Sequence, residues 1–325
     1  KEMKNVRVAF YAHEGHTADQ VRRGEAKTLM GFNEIKCHII FDVKMDFTRK
    51  ARFVAGGHLT DAPACMTYSS VVSRDSVRLA FMIAALNDLK VSATDVGNAY
   101  LNAECREKVW FQAGLECGAE DEGKVMVITR ALYGLKSSGA AWRAMFSDFI
   151  IKTLGFASTI VDQDVYRRKS FYQDTNGTSI PYYELLLVYV DDVLLISKNP
   201  DEVMDQIGKT FRLKEGYGKP TTYLGAETYQ HVAEDGSTRW VLGSGKYVKN
   251  IGEQVKEMLE QDGRSFKVPN SEKKQDNVGP LHPDYKPELD TSDLLDADLH
   301  ARYQQIIGML RWAVELGRID IQIDV

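Results

Sequence analysis

Residues 182–197 constrain this chain more than any other stretch. An almost unbroken apolar run, 185–190, ends on Asp191-Asp192 and resumes as 193–196. Both arms have strand character, so the two acids fall at the tip of a tight hairpin. Asp is a common turn residue, and a solvated turn is the plain reading of the pair taken alone. Apolar arms on both sides require that the hairpin be covered, which calls for a sheet packed under helices. The run is also far short of the roughly 18–20 apolar residues a membrane-spanning helix needs.

A second acid is placed in a similar way. Residues 91–94 read as a strand, and Asp95 follows at its carboxyl end, before Val96-Gly97-Asn98-Ala99-Tyr100. A helix N-cap is the plain reading here. Taken with the hairpin, the pattern is that of a site holding three carboxylates close together. Such carboxylates repel one another and call for a cation. Two Mg²⁺ ions, with Mn²⁺ as the alternative, would fill that need and support in-line phosphoryl transfer.

The rest of the chain reads as alternating strand and helix. Strands are expected over 35–41 and 52–55, joined by a charged turn, and over 124–129 and 165–173, the last followed by an Asn176-Gly177 turn. A helix over 76–88 is apolar on nearly every side and is expected to be buried. A second helix runs from Trp142 to Leu154 and stops at Gly155. A third opens at Asn199-Pro200, with Asn as N-cap and Pro as its first residue. Asp235-Gly236 marks a further hairpin. From about residue 240 the pattern turns helical, with stripes Val248, Ile251, Val255, Met258, Leu259 and Leu299, Tyr303, Ile306, Ile307, Leu310, Val314. Between them lies a polar stretch with Pro269, Pro280, Pro283 and Pro287, expected to be a linker. The fold class is therefore α+β, a mixed body followed by a helical appendage.

Four scattered cysteines, Cys37, Cys65, Cys105 and Cys117, form no C-x-x-C pair, which fits a reducing, intracellular setting better than a disulfide or zinc framework. The net charge of −5 runs against nucleic-acid binding unless basic residues are gathered on one surface. The chain of 325 residues begins without Met or a secretory pattern, which fits a piece of a longer precursor.

At the acidic segments the sequence resembles the reverse transcriptase of Ty1/copia-type LTR retrotransposons. Six segments follow that family's order. They are 50–57 (fingers strand), 95–102 (first palm motif), 131–136 with Ala141-Trp142 (second), 187–192 (third), Tyr223-Leu224-Gly225 (primer grip) and 303–320, with Gly308-Met309-Leu310-Arg311-Trp312. The resemblance implies a right-hand polymerase with an antiparallel palm sheet. Fingers would span 1–72 and 103–138, palm 73–102 and 139–230, and the thumb with the start of the connection 231–325.

It also implies roles. Asp95, Asp191 and Asp192, with the Val96 carbonyl, would ligate the metals, and Lys214 would protonate pyrophosphate. Lys44, Lys50 and Arg52 would face the triphosphate, where basic residues on a hairpin otherwise read as a solvated face. Gly97, Asn98, Ala99, Tyr133, Gly134 and Lys136 would shape the nucleotide pocket. Tyr100 would lie under the incoming sugar and exclude a 2′-hydroxyl. Tyr189, Val190, Tyr223, Leu224 and Gly225 would contact the primer. Arg167-Arg168-Lys169 would meet backbone phosphate or solubilise a strand.

The implied activity is RNA- and DNA-templated extension of a primer with dNTPs. Implied partners are a template–primer duplex and the RNase H and integrase portions of the same polyprotein, within a cytoplasmic virus-like particle. Monomer and homodimer both remain open. No RNase H acidic set, protease D-S/T-G motif or integrase zinc pattern is evident in this sequence. Gly139 stands where the family usually has Pro, which is expected to loosen a loop, and Gly97 stands where it usually has a larger polar residue. A catalytically silent nucleic-acid-binding or scaffold subunit is the competing reading. A nucleotidyl cyclase, whose core can use a similar palm, is a third.

Overall fold

The structure is a computed structural model and describes residues 2–43, 49–263, 286–289 and 291–322. Two compact units divide at Lys219/Pro220, earlier in the chain than the change of composition near 240.

The first unit is organised by a six-stranded sheet. Its order is Leu213–Gly218, Lys90–Val96, Asp192–Ser197, Ser179–Tyr189, Val165–Gln173, Ala157–Ser158. All of its pairings are antiparallel. Leu186, Leu187, Val193, Leu194, Leu195 and Ile196 are fully buried. Strands this apolar on both faces belong in the middle of a covered sheet, which is where they lie.

Helix Ser138–Lys152 supplies Trp142, Phe146 and Ile150, and helix Asp201–Thr210 supplies Val203, Met204 and Ile207, to one core beneath that sheet. Phe211 closes it. The Phe211 ring meets the rings of Trp142, Phe146 and Phe149 edge-on at 5.5, 5.4 and 5.0 Å. Edge-to-face packing of this kind adds about 0.5–1.5 kcal/mol per pair beyond area burial.

A second core lies under a four-stranded sheet of Phe10–Ala12, Val125–Ile128, Val109–Gln112 and Asn33–Glu34. The hairpin Cys37–Val43/Arg49–Ala55 packs its Phe53 and Ala55 into this core. Its base is joined to residues 133–135 at very close range: the Ala55 amide donates to the Tyr133 carbonyl at 2.8 Å. Gly134 has φ +92°, and a Cβ there would stand 1.9 Å from the Ala55 carbonyl oxygen. A Cβ on Gly57 would stand 2.3 Å from the Gly134 carbonyl oxygen. Only glycine allows this crossing.

Several expectations change. Helix Arg74–Leu86 begins at the Ser73 N-cap and is one-sided: Val77, Ala80, Phe81 and Ala84 are buried, while Leu79, Met82 and Leu86 are exposed. The third helix begins at Asp201, with Pro200 rather than Asn199 at the cap and no side-chain cap bond. Gly139 is in the first turn of helix Ser138–Lys152, not in a loop, and a Cβ there would stand 3.3 Å from the Ser69 Cβ.

The second unit is not purely helical. It opens with a three-stranded sheet of Thr222–Tyr223, Ala226–Val232 and Thr238–Gly243. Helices Gly245–Gln261 and Ala297–Glu315 follow, joined in part by the Tyr247 hydroxyl donating to the Met309 carbonyl at 3.3 Å. Of the expected stripes, Ile251 is buried, whereas Leu299 and Tyr303 are exposed. Of the proline-rich linker, Pro269, Pro280 and Pro283 lie outside the described residues.

Candidate active site

The acidic hairpin has a two-residue tip. Tyr189 pairs with Asp192, leaving Val190 and Asp191 as the connection. Val190 adopts φ +56°. For a β-branched residue this left-handed conformation stores about 1–3 kcal/mol and persists only where surrounding contacts hold it. Two bonds do so. The buried Trp142 indole N–H donates to the Val190 carbonyl at 2.8 Å, and the Val96 amide donates to the Asp191 carbonyl at 2.8 Å.

The neighbouring strand completes the group. Asp95 lies directly opposite Asp192 in the ladder. Strand Leu213–Gly218 flanks Asp95 on its other side. Its register slips between Leu213, opposite Val96, and Tyr217, opposite Thr94, so three residues on one strand stand against one, Asp95, on the other. Lys214 falls within that irregularity. Its ammonium reaches Asp95 Oδ2 at 2.6 Å and Asp191 Oδ2 at 3.4 Å. Gly97 tightens the same corner: its amide donates to the Arg212 carbonyl at 2.7 Å, and a Cβ would stand 3.1 Å from that oxygen. A larger residue would press on this backbone.

The electrostatics are those of a crowded anionic centre. Burial pushes the Asp192 carboxyl up to about 6, with the charges of Asp191 and Asp95 adding to it and Lys214 opposing. Asp95 is raised as well, again by burial first, against the hydrogen bond from Lys214. For Lys214, burial lowers the ammonium, but the bond to Asp95 and the charges of Asp95 and Asp191 outweigh it and leave it raised.

Asp95 Oδ1 is buried with no hydrogen-bond partner. A lone carboxylate oxygen next to two further acids is the donor set a hard cation takes. Among the described residues no three acidic, His or Cys side chains already close around one ion. The Lys214 ammonium holds the cationic position between Asp95 and Asp191, so ligation by all three would require it to draw aside.

The expected nucleotide residues are brought near in part. Asn98 turns the chain at φ +54° from the strand into the short helix Ala99–Asn102. The Tyr100 ring lies 4.9 Å from that of Tyr133. Both hydroxyls are raised, by burial first and then by Asp191. The Arg52 guanidinium stands 5.5 Å from the Tyr133 ring, with its Nε buried and unbonded. Lys50 acts on Asp95 electrostatically.

The Lys136 ammonium is committed to the Thr60 carbonyl. Gly134 serves the crossing with Ala55. Lys44 lies outside the described residues. Tyr223, Leu224 and Gly225 belong to the second unit, where Leu224 and Gly225 have φ +48° and +83° and a Cβ on Gly225 would stand 3.3 Å from the Trp312 indole nitrogen.

Sequence reasoning missed the anchoring roles of Trp142 and Arg212. Ala141-Trp142 stood out only as part of a motif, and a carbonyl carries no sequence signal.

The model of the family described as reverse transcriptase (RNA-dependent DNA polymerase) matches residues 30–255, and the chain belongs to that family. Within it, the chain is of the Ty1/copia retrotransposon type. The Retrovirus-related Pol polyprotein from transposon TNT 1-94 of Nicotiana tabacum is 28% identical over 237 residues, covering 69% of this chain and 17% of that protein. The Transposon Ty1-MR1 Gag-Pol polyprotein of Saccharomyces cerevisiae is 27% identical over 251 residues, covering 72% and 13%. The Truncated transposon Ty1-A Gag-Pol polyprotein of the same yeast is 28% identical over 167 residues, covering 51% and 13%. The chain thus spans 13–17% of the length of these relatives. No helix among the described residues is long and apolar enough to cross a membrane.

Proposed function

We propose that this chain is the polymerase portion of a retrotransposon reverse transcriptase, extending a primer 3′ end with dNTPs on an RNA or DNA template. One observation carries the reading. Asp95, Asp191 and Asp192 gather at one end of a covered sheet, with the Lys214 ammonium already drawn to two of them. In this reading the first unit holds the fingers (1–72 and 103–138) and most of the palm (73–102 and from 139 onward), and the thumb begins near 231.

Asp95, Asp191 and Asp192, with the Val96 carbonyl, would hold two divalent cations, Mg²⁺ or Mn²⁺. When bound, these supply charge neutralisation of the triphosphate and activation of the 3′-hydroxyl. The side chains around them do the positioning. Arg52 and Lys50 screen triphosphate charge. Tyr100, its ring tilted against that of Tyr133, sets the floor under the sugar and excludes a 2′-hydroxyl. Tyr189 and Val190 present the hairpin tip to the primer, and Tyr223, Leu224 and Gly225 grip it. With its ion pair to Asp95 opened, the Lys214 Nζ would donate a proton to the departing pyrophosphate as general acid. RNase H and integrase portions of the same polyprotein are the expected neighbours, and a virus-like particle the expected setting.

The test is primer extension on an RNA template with Mg²⁺ or Mn²⁺ and dNTPs, beside Asp191→Asn. Template- and metal-dependent extension that vanishes in Asp191→Asn supports the proposal. Retained primer–template binding with no extension under either metal would overturn it in favour of a scaffold subunit. Product formed without a template would point to a different two-metal enzyme.

A further inference from the structure

The hairpin of strands Val165–Gln173 and Ser179–Tyr189 carries a feature that polymerase chemistry does not use. Successive side chains of a strand point to opposite faces of the sheet. On one face Tyr166 is buried, and Arg168 is tied to the buried Glu184 at 2.7 Å. On the other face stand Arg167, Lys169 and Phe171, with Tyr183 directly opposite Lys169. The Arg167 guanidinium lies 5.5 Å from the Tyr183 ring, and the Lys169 ammonium 5.4 Å from the Phe171 ring. Both rings are open to solvent, Phe171 at 59% and Tyr183 at 51% exposure.

Among the described residues neither of these two cations makes an ion pair. The hairpin has two acids of its own. Glu184 is on the opposite face and is taken by Arg168 and Ser197. Asp174 is bonded to the Asn176 and Thr178 amides of its own turn. Past Arg167 the strand Val165–Gln173 has a neighbour on one side only, since Ala157–Ser158 pairs with Arg167 and Tyr166 alone. Charges on such an open edge guard against edge-to-edge pairing. That duty explains Arg167 and Lys169, but it leaves two solvent-facing rings beside them without a purpose.

Cations interleaved with exposed aromatic rings form the platform that single-stranded nucleic acid uses: phosphates meet the charges, and unpaired bases stack on the rings. A duplex offers no open base faces to stack. We infer that this face binds single-stranded nucleic acid, with Arg167 and Lys169 on backbone phosphates and Phe171 and Tyr183 under bases. In an otherwise acidic chain the patch gives an incoming strand a place to dock outside the carboxylate centre. The inference does not depend on polymerase activity, so its failure and that of the proposed function are distinguishable.

The test is fluorescence anisotropy of a labelled, unstructured oligouridine and the matching oligodeoxythymidine. The full chain is used, with saturating unlabelled template–primer duplex present. Bound oligonucleotide is expected despite the duplex. Arg167→Gln/Lys169→Gln should make the slope of log affinity against log salt shallower by about 1.4, two phosphates at about 0.7 each. Phe171→Ala and Tyr183→Ala should each weaken binding roughly five-fold or more. Equal loss for both oligonucleotides marks a single-strand site, and a larger loss for RNA marks a 2′-hydroxyl contact; either supports the inference. Complete displacement by the duplex, an unchanged salt slope, or full affinity in both alanine variants would overturn it. All four positions are exposed, so far-ultraviolet circular dichroism of the variants should match the parent.

Discussion

The tip of the acidic hairpin depends on one side chain from a distant helix, and Trp142→Phe isolates that dependence. The substitution keeps a ring against Phe146 and Phe211 but removes the indole N–H that meets the Val190 carbonyl at 2.8 Å. Leaving this partly buried carbonyl unsatisfied costs about 1–3 kcal/mol. The left-handed backbone of Val190 stores about as much, and the lost bond helps to hold it. The folded protein is therefore expected to lose about 2–3 kcal/mol in urea unfolding, part of it from the smaller ring.

The diagnostic readout is catalytic. Asp191 follows Val190 directly, and a displacement of about 1 Å in a reacting group can cost about a hundredfold in rate. We expect kcat for primer extension to fall by that order, KM for dNTP to move by less than threefold, and the Mg²⁺ requirement to rise. Val190→Gly separates the ring from the bond, because glycine tolerates positive φ. In that background Trp142→Phe should cost at least about 1 kcal/mol less, the mark of two coupled sites. A kcat within threefold of the parent, or strictly additive stabilities, would refute the view that Trp142 holds the tip in place.

Gly134→Ala, which drives a Cβ to 1.9 Å from the Ala55 carbonyl oxygen at φ +92°, should destabilise by about 2–4 kcal/mol. A urea midpoint equivalent to less than 1 kcal/mol of loss would show that the crossing can open. Lys214→Met should lower kcat about a hundredfold or more with little effect on template–primer affinity, as loss of a general acid would. Unchanged extension would remove Lys214 from the chemistry. Burial pushes the Cys37 thiol from 9.0 up to about 12 and the Cys105 thiol up to about 11, so iodoacetamide at pH 8.5 should leave both unlabelled until the chain is unfolded. Because the Cys37 pKa is raised in the fold, the stability it contributes is complete below pH 9 and is lost as pH climbs toward 12. Rapid native labelling of Cys37 would contradict its burial.

What could be read without coordinates was local. Apolar arms around Asp191-Asp192 forced a covered hairpin, because strands buried on both faces leave nowhere else for paired acids than the tip. Asp95 at a strand end, the Asn176-Gly177 turn and the stop at Gly155 followed from backbone preference alone. The α+β class followed from the mixture of the two periods.

The pairing of Asp95 with Asp192 was not legible, since a strand's own periodicity does not say which neighbour it will have. Nor was the reach of Lys214, which depends on a register slip against another strand, or the turn of Arg168 inward while Arg167 and Lys169 face out. Helix Arg74–Leu86 looked buried all round because its composition is apolar; only the packing showed that Leu79, Met82 and Leu86 are exposed. The close crossing at Gly134 left no sign in sequence, because the Ala55 carbonyl that excludes a Cβ comes from a strand far away in the chain. Hydrophobic pattern and turn chemistry act over a few residues and determine elements. Register, close approach and the meeting of charges act between elements, and tertiary structure alone decides them.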